Sequence, residues 1–213
     1  MPLYTTDALI LRTYKLGESD RIVVFLTRDR GKKRGVAKNA RQSRRRFGGA
    51  LEPMTCGRVS YLERERRDLV ALHYVEVTRS PLSALDGEAL GYVGYFAELI
   101  DEWAPEADPN ETLYRLGASI VDALAIGVPI EPLARYFEFW LLRLQGVYEP
   151  AAQLSADARA FLAAARSCTP FSLAEMAVSG GTLRELEAAH RALIAMHLEK
   201  ELKSARVLRE MRR

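Results

Sequence analysis

Arg21-Ile22-Val23-Val24-Phe25-Leu26-Thr27 decides the fold. Four of its residues are β-branched, it is apolar almost throughout, and turn-forming residues bound it on both sides, which is the signature of a strand. Gly17-Glu18-Ser19-Asp20 turns the chain into it, and Asp29-Arg30-Gly31-Lys32 turns the chain out again toward a third strand at 33–37. Working outward, residues 6–14 form an earlier strand of the same kind. After a basic stretch, 55–62 and 69–78 read as two more, joined by the charged connection 63–68 as a hairpin. Five short strands with a longer link between the third and fourth match an OB-fold barrel, although other small barrels fit the same order.

From Pro81 the period changes to helical. Residues 82–103 carry Leu85, Leu90, Val93, Phe96, Leu99 and Ile100 at three- and four-residue spacing. Asn110 caps a helix running to about residue 126, and 132–145 is apolar all round, which implies burial. Ser155 caps a helix over 156–166, and further helices are predicted at 173–178 and 183–210. The last two follow the capping-box patterns Ser172-Leu173-Ala174-Glu175 and Thr182-Leu183-Arg184-Glu185. The fold class expected is α+β multidomain: a five-stranded OB-fold β-barrel at 1–80 followed by an all-α unit at 81–213, packed closely because no flexible tether separates them.

Charge divides at the same place. Residues 1–80 hold 18 Lys and Arg against 9 Asp and Glu, a formal charge of +9, whereas 81–213 hold 13 against 19, a charge of −6. Residues 28–46 concentrate the excess: Arg28, Arg30, Lys32, Lys33, Arg34, Lys38, Arg41, Arg44, Arg45 and Arg46 stand against Asp29 alone. Guanidinium groups grip phosphate with paired donors, and every neutralised phosphate releases counterions, so the run reads as a nucleic-acid surface; a solvated face or a contact with an acidic partner produces the same composition. Tyr14, Phe47 and Tyr61 are the rings near enough to stack on bases, and each also fits a core position.

Other chemistries find little support. The sequence has no Gly-rich phosphate loop with Lys-Ser/Thr, no Gly-x-Ser-x-Gly elbow and no His-Glu-x-x-His site, so no catalytic residue is expected. His73 lies in a strand, and His190 and His197 read as surface residues of a charged helix. The acidic pairs Glu63/Glu65 and Asp101/Glu102 read as solvating residues at a hairpin tip and a helix end, not as ligands for Mg²⁺. Cys56 and Cys168 are too few for a disulfide framework or a four-thiolate zinc site. Neither metal nor cofactor nor small-molecule substrate is expected. The N-terminus lacks a signal-peptide pattern and no apolar run approaches the ~18 residues of a membrane span, so the protein is expected in the cytoplasm.

Three blocks in order, Leu16-Gly17-Glu18-Ser19-Asp20-Arg21-Ile22-Val23, Gly31-Lys32-Lys33-Arg34-Gly35-Val36-Ala37-Lys38 and Arg44-Arg45-Arg46-Phe47-Gly48-Gly49-Ala50-Leu51-Glu52-Pro53, resemble the N-terminal domain of RecO recombination-mediator proteins. Arg135-Tyr136-Phe137-Glu138, Leu141-Leu142-Arg143-Leu144-Gln145-Gly146 and His197-Leu198-Glu199-Lys200-Glu201-Leu202-Lys203-Ser204 extend the likeness nearly end to end. The resemblance implies an OB-fold before a helical domain, and binding of single- and double-stranded DNA without nucleotide hydrolysis. It also implies strand annealing, repair through the RecF pathway and association with the nucleoid. The implied partners are RecR, the C-terminal tail of SSB and, indirectly, RecA. Lys32, Lys33, Arg34, Lys38, Arg41, Arg44, Arg45 and Arg46 then line the DNA surface, and Arg135 and Arg143, beside the most apolar helix, are candidates for the SSB tail or else ordinary solvated arginines. Many family members carry a four-cysteine zinc module after the segment equivalent to 142–146; here Val147-Tyr148-Glu149-Pro150-Ala151-Ala152-Gln153 leads straight to the next helix. The residues alone leave two other readings open, an RNA-binding OB protein and a scaffold for an acidic partner.

Overall fold

The computed structural model describes residues 2–63, 68–83, 87–149 and 154–211, with Arg44, Ser83 and Glu88 described by backbone alone. The first part contains strands β1 (Leu3–Leu16), β2 (Asp20–Thr27), β3 (Gly31–Ala37), β4 (Cys56–Leu62) and β5 (Val70–Arg79), with a one-turn helix α1 (Arg44–Phe47) in the long link. A 3₁₀ turn at Pro81–Ser83 leads to α2 (Gly87–Trp103), α3 (Glu111–Ala125), α4 (Ile130–Leu144), α5 (Ala156–Ser167), a second 3₁₀ turn at Pro170–Glu175, α6 (Gly180–Leu198) and α7 (Lys203–Met211).

The strands hydrogen-bond in the order β1-β2-β3-β5-β4 and close on themselves through an antiparallel β1–β4 ladder from Leu3↔Leu62 to Leu9↔Cys56. This is the five-stranded OB-like sheet expected, followed by helices as expected. Its weakest seam is the parallel β3–β5 pair, three residue pairs from Gly35↔Val70 to Ala37↔Leu72.

Alternation along the strands sends side chains to two different cores. Ala8, Ile10, Val23, Phe25, Ala37, Val59 and Tyr61 fill the inside of the sheet. Leu9, Leu11, Val24 and Leu26 point the other way and join one cluster with the apolar faces of α2, α3 and α4. β1 and β2 read as continuous apolar runs because both of their faces are buried. Gly117 lets α3 approach: a Cβ there would lie 2.6 Å from Leu9 Cδ2.

Ion pairs reinforce the apolar contact between sheet and helices. Asp101 of α2 receives Arg12 (3.2 Å) and Lys32 (3.3 Å), with the Lys32 and Asp101 side chains only 12% and 13% exposed, and the Asp101 carbonyl takes a further bond from Lys32 Nζ at 2.6 Å. Arg79 pairs with Asp122 of α3 at 2.5 Å. The α2–α3 link adds a β-bridge to β3, with Lys32 N donating to Pro105 O and Ala107 N to Lys32 O. Gly31 is required there, since it holds a φ of +68° and a Cβ would sit 2.4 Å from the Asp108 backbone.

Asn110 and Ser155 cap α3 and α5 as expected, accepting from the amides of Leu113 and Ala158. Other helical expectations are corrected. Residues 173–178 are not a helix, because Ser172 and Glu175 lie inside the 3₁₀ turn; α6 is capped by Ser179, not Thr182. Glu185 instead caps the neighbouring helix, accepting from the Ser155 amide and hydroxyl at 2.6 Å each. The single helix expected over 183–210 is two: Glu199 takes a left-handed conformation, and Glu98 of α2 accepts from the Lys203 and Ser204 amides to start α7. Among the described residues, no helix is long and apolar enough to cross a membrane.

Asp101 is therefore expected to carry sheet–helix docking. Asp101→Ala, which removes the carboxylate from Lys32 and Arg12, should cost about 1–3 kcal/mol in urea unfolding and shift the midpoint at unchanged slope.

Candidate nucleic-acid interface

The alternation of β3 separates the cations that the sequence lists together. Phe25↔Lys33 and Leu26↔Lys32 place Lys33 on the inner face, while Lys32 and Arg34 turn toward the helices. Lys33 is fixed by Glu63 at 2.8 Å, Lys32 by Asp101, and Arg34 faces Glu106 at 4.0 Å. Three of the eight expected DNA cations thus already have carboxylate partners within the chain.

The rest of the run folds back on the β1–β2 turn. Asn39, at φ 54°, donates its amide to Asp20 Oδ1, Arg41 N donates to Ser19 O, and the Arg41 guanidinium bonds Glu18 O at 2.9 Å. Arg46 braces the loop from within, donating to Ser43 Oγ and Lys38 O and lying 5.0 Å from the Phe47 ring centre. Lys38, Arg41 and Arg45 are exposed, and among the described residues no carboxylate forms an ion pair with them. The Arg44 side chain lies outside the described residues.

Two cations outside the run belong to the same end of the sheet. Lys15 and Arg21 are direct cross-strand partners, and Arg21 also opposes Ala37, the residue before Lys38. Six positions separate them in sequence; the hairpin register about Glu18 is the signal that finds them. Like charges directly opposite each other repel, so this pair gains from an incoming anion.

Of the three rings, Tyr14 alone reaches the surface, 43% exposed and held by Arg12 Nη1 at 3.0 Å. The stacking expectation is corrected for the other two. Phe47 and Tyr61 are sealed in the inner core, Tyr61 packed at 5.5 Å on Tyr4 and 5.7 Å on Phe25 with its hydroxyl pushed up to about 12 by burial.

Arg135 is not the solvent-facing arginine expected. It is buried beneath α6, pairing with Glu138 at 3.0 Å and Glu187 at 3.6 Å. Glu138 also accepts from the Tyr95 hydroxyl at 2.7 Å and contacts His190 Nδ1 at 2.9 Å, so His190 is a core residue and not a surface one. Burial alone would push the Glu138 carboxyl up, but Arg135, His190 and Tyr95 together hold it below its ordinary value. Arg143 is exposed, its guanidinium 5.5 Å from the Phe139 ring centre and 5.7 Å from that of Trp140. The two arginines do not meet in one site. A groove of about 420 Å³ does open between α6 and α7, floored by Ala192, Ala195, Leu202 and Ala205 and rimmed by Arg191 and Lys200.

The acidic pairs do not solvate turns as expected. Asp101 binds Arg12 and Lys32, Glu102 binds Lys200 at 2.5 Å, and Glu63 binds Lys33; Glu65 lies outside the described residues. Among the described residues, no group of three or more His, Cys, Asp or Glu side chains could hold a metal ion.

Residues 1–81 match the family described as Recombination protein O N terminal, and 84–150 match Recombination protein O C terminal. The chain is 44% identical over 145 residues to the DNA repair protein RecO of Koribacter versatilis, covering 68% of this chain and 59% of the relative. It is 42% identical over 141 residues to that of Anaeromyxobacter sp. (strain K), covering 65% and 55%. With that of Pelotomaculum thermopropionicum it shares 32% identity over 201 residues, 88% of this chain and 77% of the relative. The chain thus spans between half and two thirds of the length of the first two relatives.

A carboxylate with a lowered pKa stabilises the fold above its unfolded value of 4.5, and this contribution is lost as pH falls through the folded value. Glu138→Gln is expected to destabilise by about 3 kcal/mol at pH 7, leaving the buried Arg135 with Glu187 at 3.6 Å as its remaining carboxylate. It should also flatten the loss of stability below pH 4.5, read by urea unfolding across pH.

Proposed function

The chain belongs to the recombination protein O family, and on that premise we propose that it is a non-enzymatic DNA-repair protein. In this reading it binds single- and double-stranded DNA, anneals complementary strands and, with RecR, helps to load RecA on SSB-coated single strands in the RecF pathway, in the cytoplasm at the nucleoid. Residues 1–80 are its DNA-binding unit and 81–213 its partner-binding unit.

The observation that carries the reading is the end of the sheet at the β1–β2 turn. Lys15 and Arg21 of the β1–β2 hairpin meet the loop that carries Lys38 and Arg41 there, Arg45 is exposed further along that loop, and exposed Tyr14 stands one pair along the hairpin on its other face, on an OB-like topology whose β1–β2 loop is a usual ligand edge. Cations without carboxylate partners bind phosphate at no cost of a broken ion pair, and an exposed ring accepts any base. Arg44 and Arg46 extend the patch by sequence. For the SSB tail, the groove between α6 and α7 offers an apolar floor rimmed by Arg191, by Lys200, which Glu102 holds, and by Glu201 and Arg209, which pair with each other. It replaces buried Arg135 as the proposed locus, and Arg143 stays as a surface candidate.

The test is annealing of complementary fluorescent oligonucleotides, naked and SSB-coated, without ATP and across a salt titration. Six phosphate contacts predict a slope of about −4 on single strands, from about −0.7 per contact. Lys38→Gln with Arg45→Gln should flatten that slope by about 1.4 and weaken all sequences alike, since phosphate contacts carry no sequence information. Binding confined to RNA, or a slope near zero, overturns the reading.

A further inference from the structure

The end of α2, the link after it and the first residue of α3 carry Asp101, Glu102, Glu106, Asp108 and Glu111, and the link's backbone is fastened along β3 by the Lys32–Glu106 bridge and by Gly31 packed on Asp108. The cationic run of the sheet therefore faces an acidic strip of the same chain. The pairs across this seam fall into two kinds. Asp101 is largely buried with Lys32. Arg28–Glu111 (2.8 Å) and Arg34–Glu106 (4.0 Å) stand in solvent, their side chains 54% and 53%, and 48% and 66% exposed. Arg28 Nε and Nη2 both donate to one Glu111 oxygen, at 3.0 and 2.8 Å, so this edge of the guanidinium carries two donors that a phosphate could also use.

We propose that Arg28 is a further DNA-contacting residue beside Arg34, which the family resemblance already implies, and that Glu111 and Glu106 occupy the two as built-in phosphate surrogates which an incoming strand displaces. This rests on the DNA-binding reading above and extends the contact surface from the β1–β2 turn along β3, one of the two strands on which OB-folds commonly hold oligonucleotides. Exposed ion pairs hold their partners weakly, whereas each phosphate bound also releases counterions. The exchange needs only side-chain rotation, because the backbone of the strip is pinned. Affinity is thereby set below what the cations alone would give, which keeps binding reversible and salt-responsive.

The experiment is anisotropy of a labelled single-stranded oligonucleotide with the full chain, comparing Glu106→Gln/Glu111→Gln with wild type and with a double control of equal charge change, Glu175→Gln/Glu131→Gln, on carboxylates outside the strip. The strip variant should bind roughly three- to tenfold tighter than the control at an unchanged thermal midpoint, with the salt slope kept, since the same phosphates are neutralised in both proteins. Adding Arg28→Gln and Arg34→Gln should abolish the gain. A gain no larger than the control's, or one that survives loss of both arginines, overturns this proposal while leaving the DNA-binding reading intact. Absence of binding by wild type and every variant overturns both.

Discussion

Everything in this molecule depends on the face of β1 and β2 that is turned away from the inside of the sheet. Leu9, Leu11, Val24 and Leu26 cannot be left in water, and the helices that cover them bring carboxylates to the cations flanking that apolar patch. Arg12 and Lys32 meet Asp101, Arg79 meets Asp122, Arg34 meets Glu106 and Arg28 meets Glu111. The contrast between a +9 segment and a −6 segment is thus satisfied in part within the chain. Composition overstates the free positive surface. Among the described residues of the first part, what stays without a carboxylate partner is smaller, and it includes Lys15, Arg21, Lys38 and Arg41 at the end where the β1–β2 turn and the 38–46 loop meet.

Local signals in the sequence were reliable where local physics decides. The strands emerge at the expected places because turn residues and β-branched runs act over a few positions, and Asn110 and Ser155 cap their helices for the same reason. Expectations failed where a distant partner intervened. Glu185 looks like the end of its own helix's capping box, yet it reaches Ser155, 30 residues away; Glu98 interrupts a continuous helical pattern from more than a hundred residues upstream. The site shows the same division. That 28–46 is basic was plain, but strand alternation, which sends Lys32, Lys33 and Arg34 to two faces, and the register that joins Lys15 to Arg21 required pairing.

The helical layer has its own fixed point. One carboxylate, Glu138 of α4, is contacted by Tyr95 of α2, by Arg135 of its own helix and by His190 of α6. Burying these groups costs desolvation that well-packed apolar residues would avoid, and it tolerates only an arrangement in which all the partners meet. Such a network trades stability for a single geometry of three helices. That geometry positions α6 and α7, and with them the groove, relative to the sheet.

The seam between β3 and the acidic strip also has a history in time. Arg28, Lys32 and Arg34 leave the ribosome well before residues 101–111, which at roughly 5–20 residues per second follow several seconds later. Through that interval Arg28, Lys32 and Arg34 stand without the carboxylates that later pair with them. Completion of α2, its link and the first residue of α3 supplies the carboxylates of the seam. Chain order is therefore part of how this fold is made: the cations of the seam are synthesised first, and the carboxylates that pair with them arrive later.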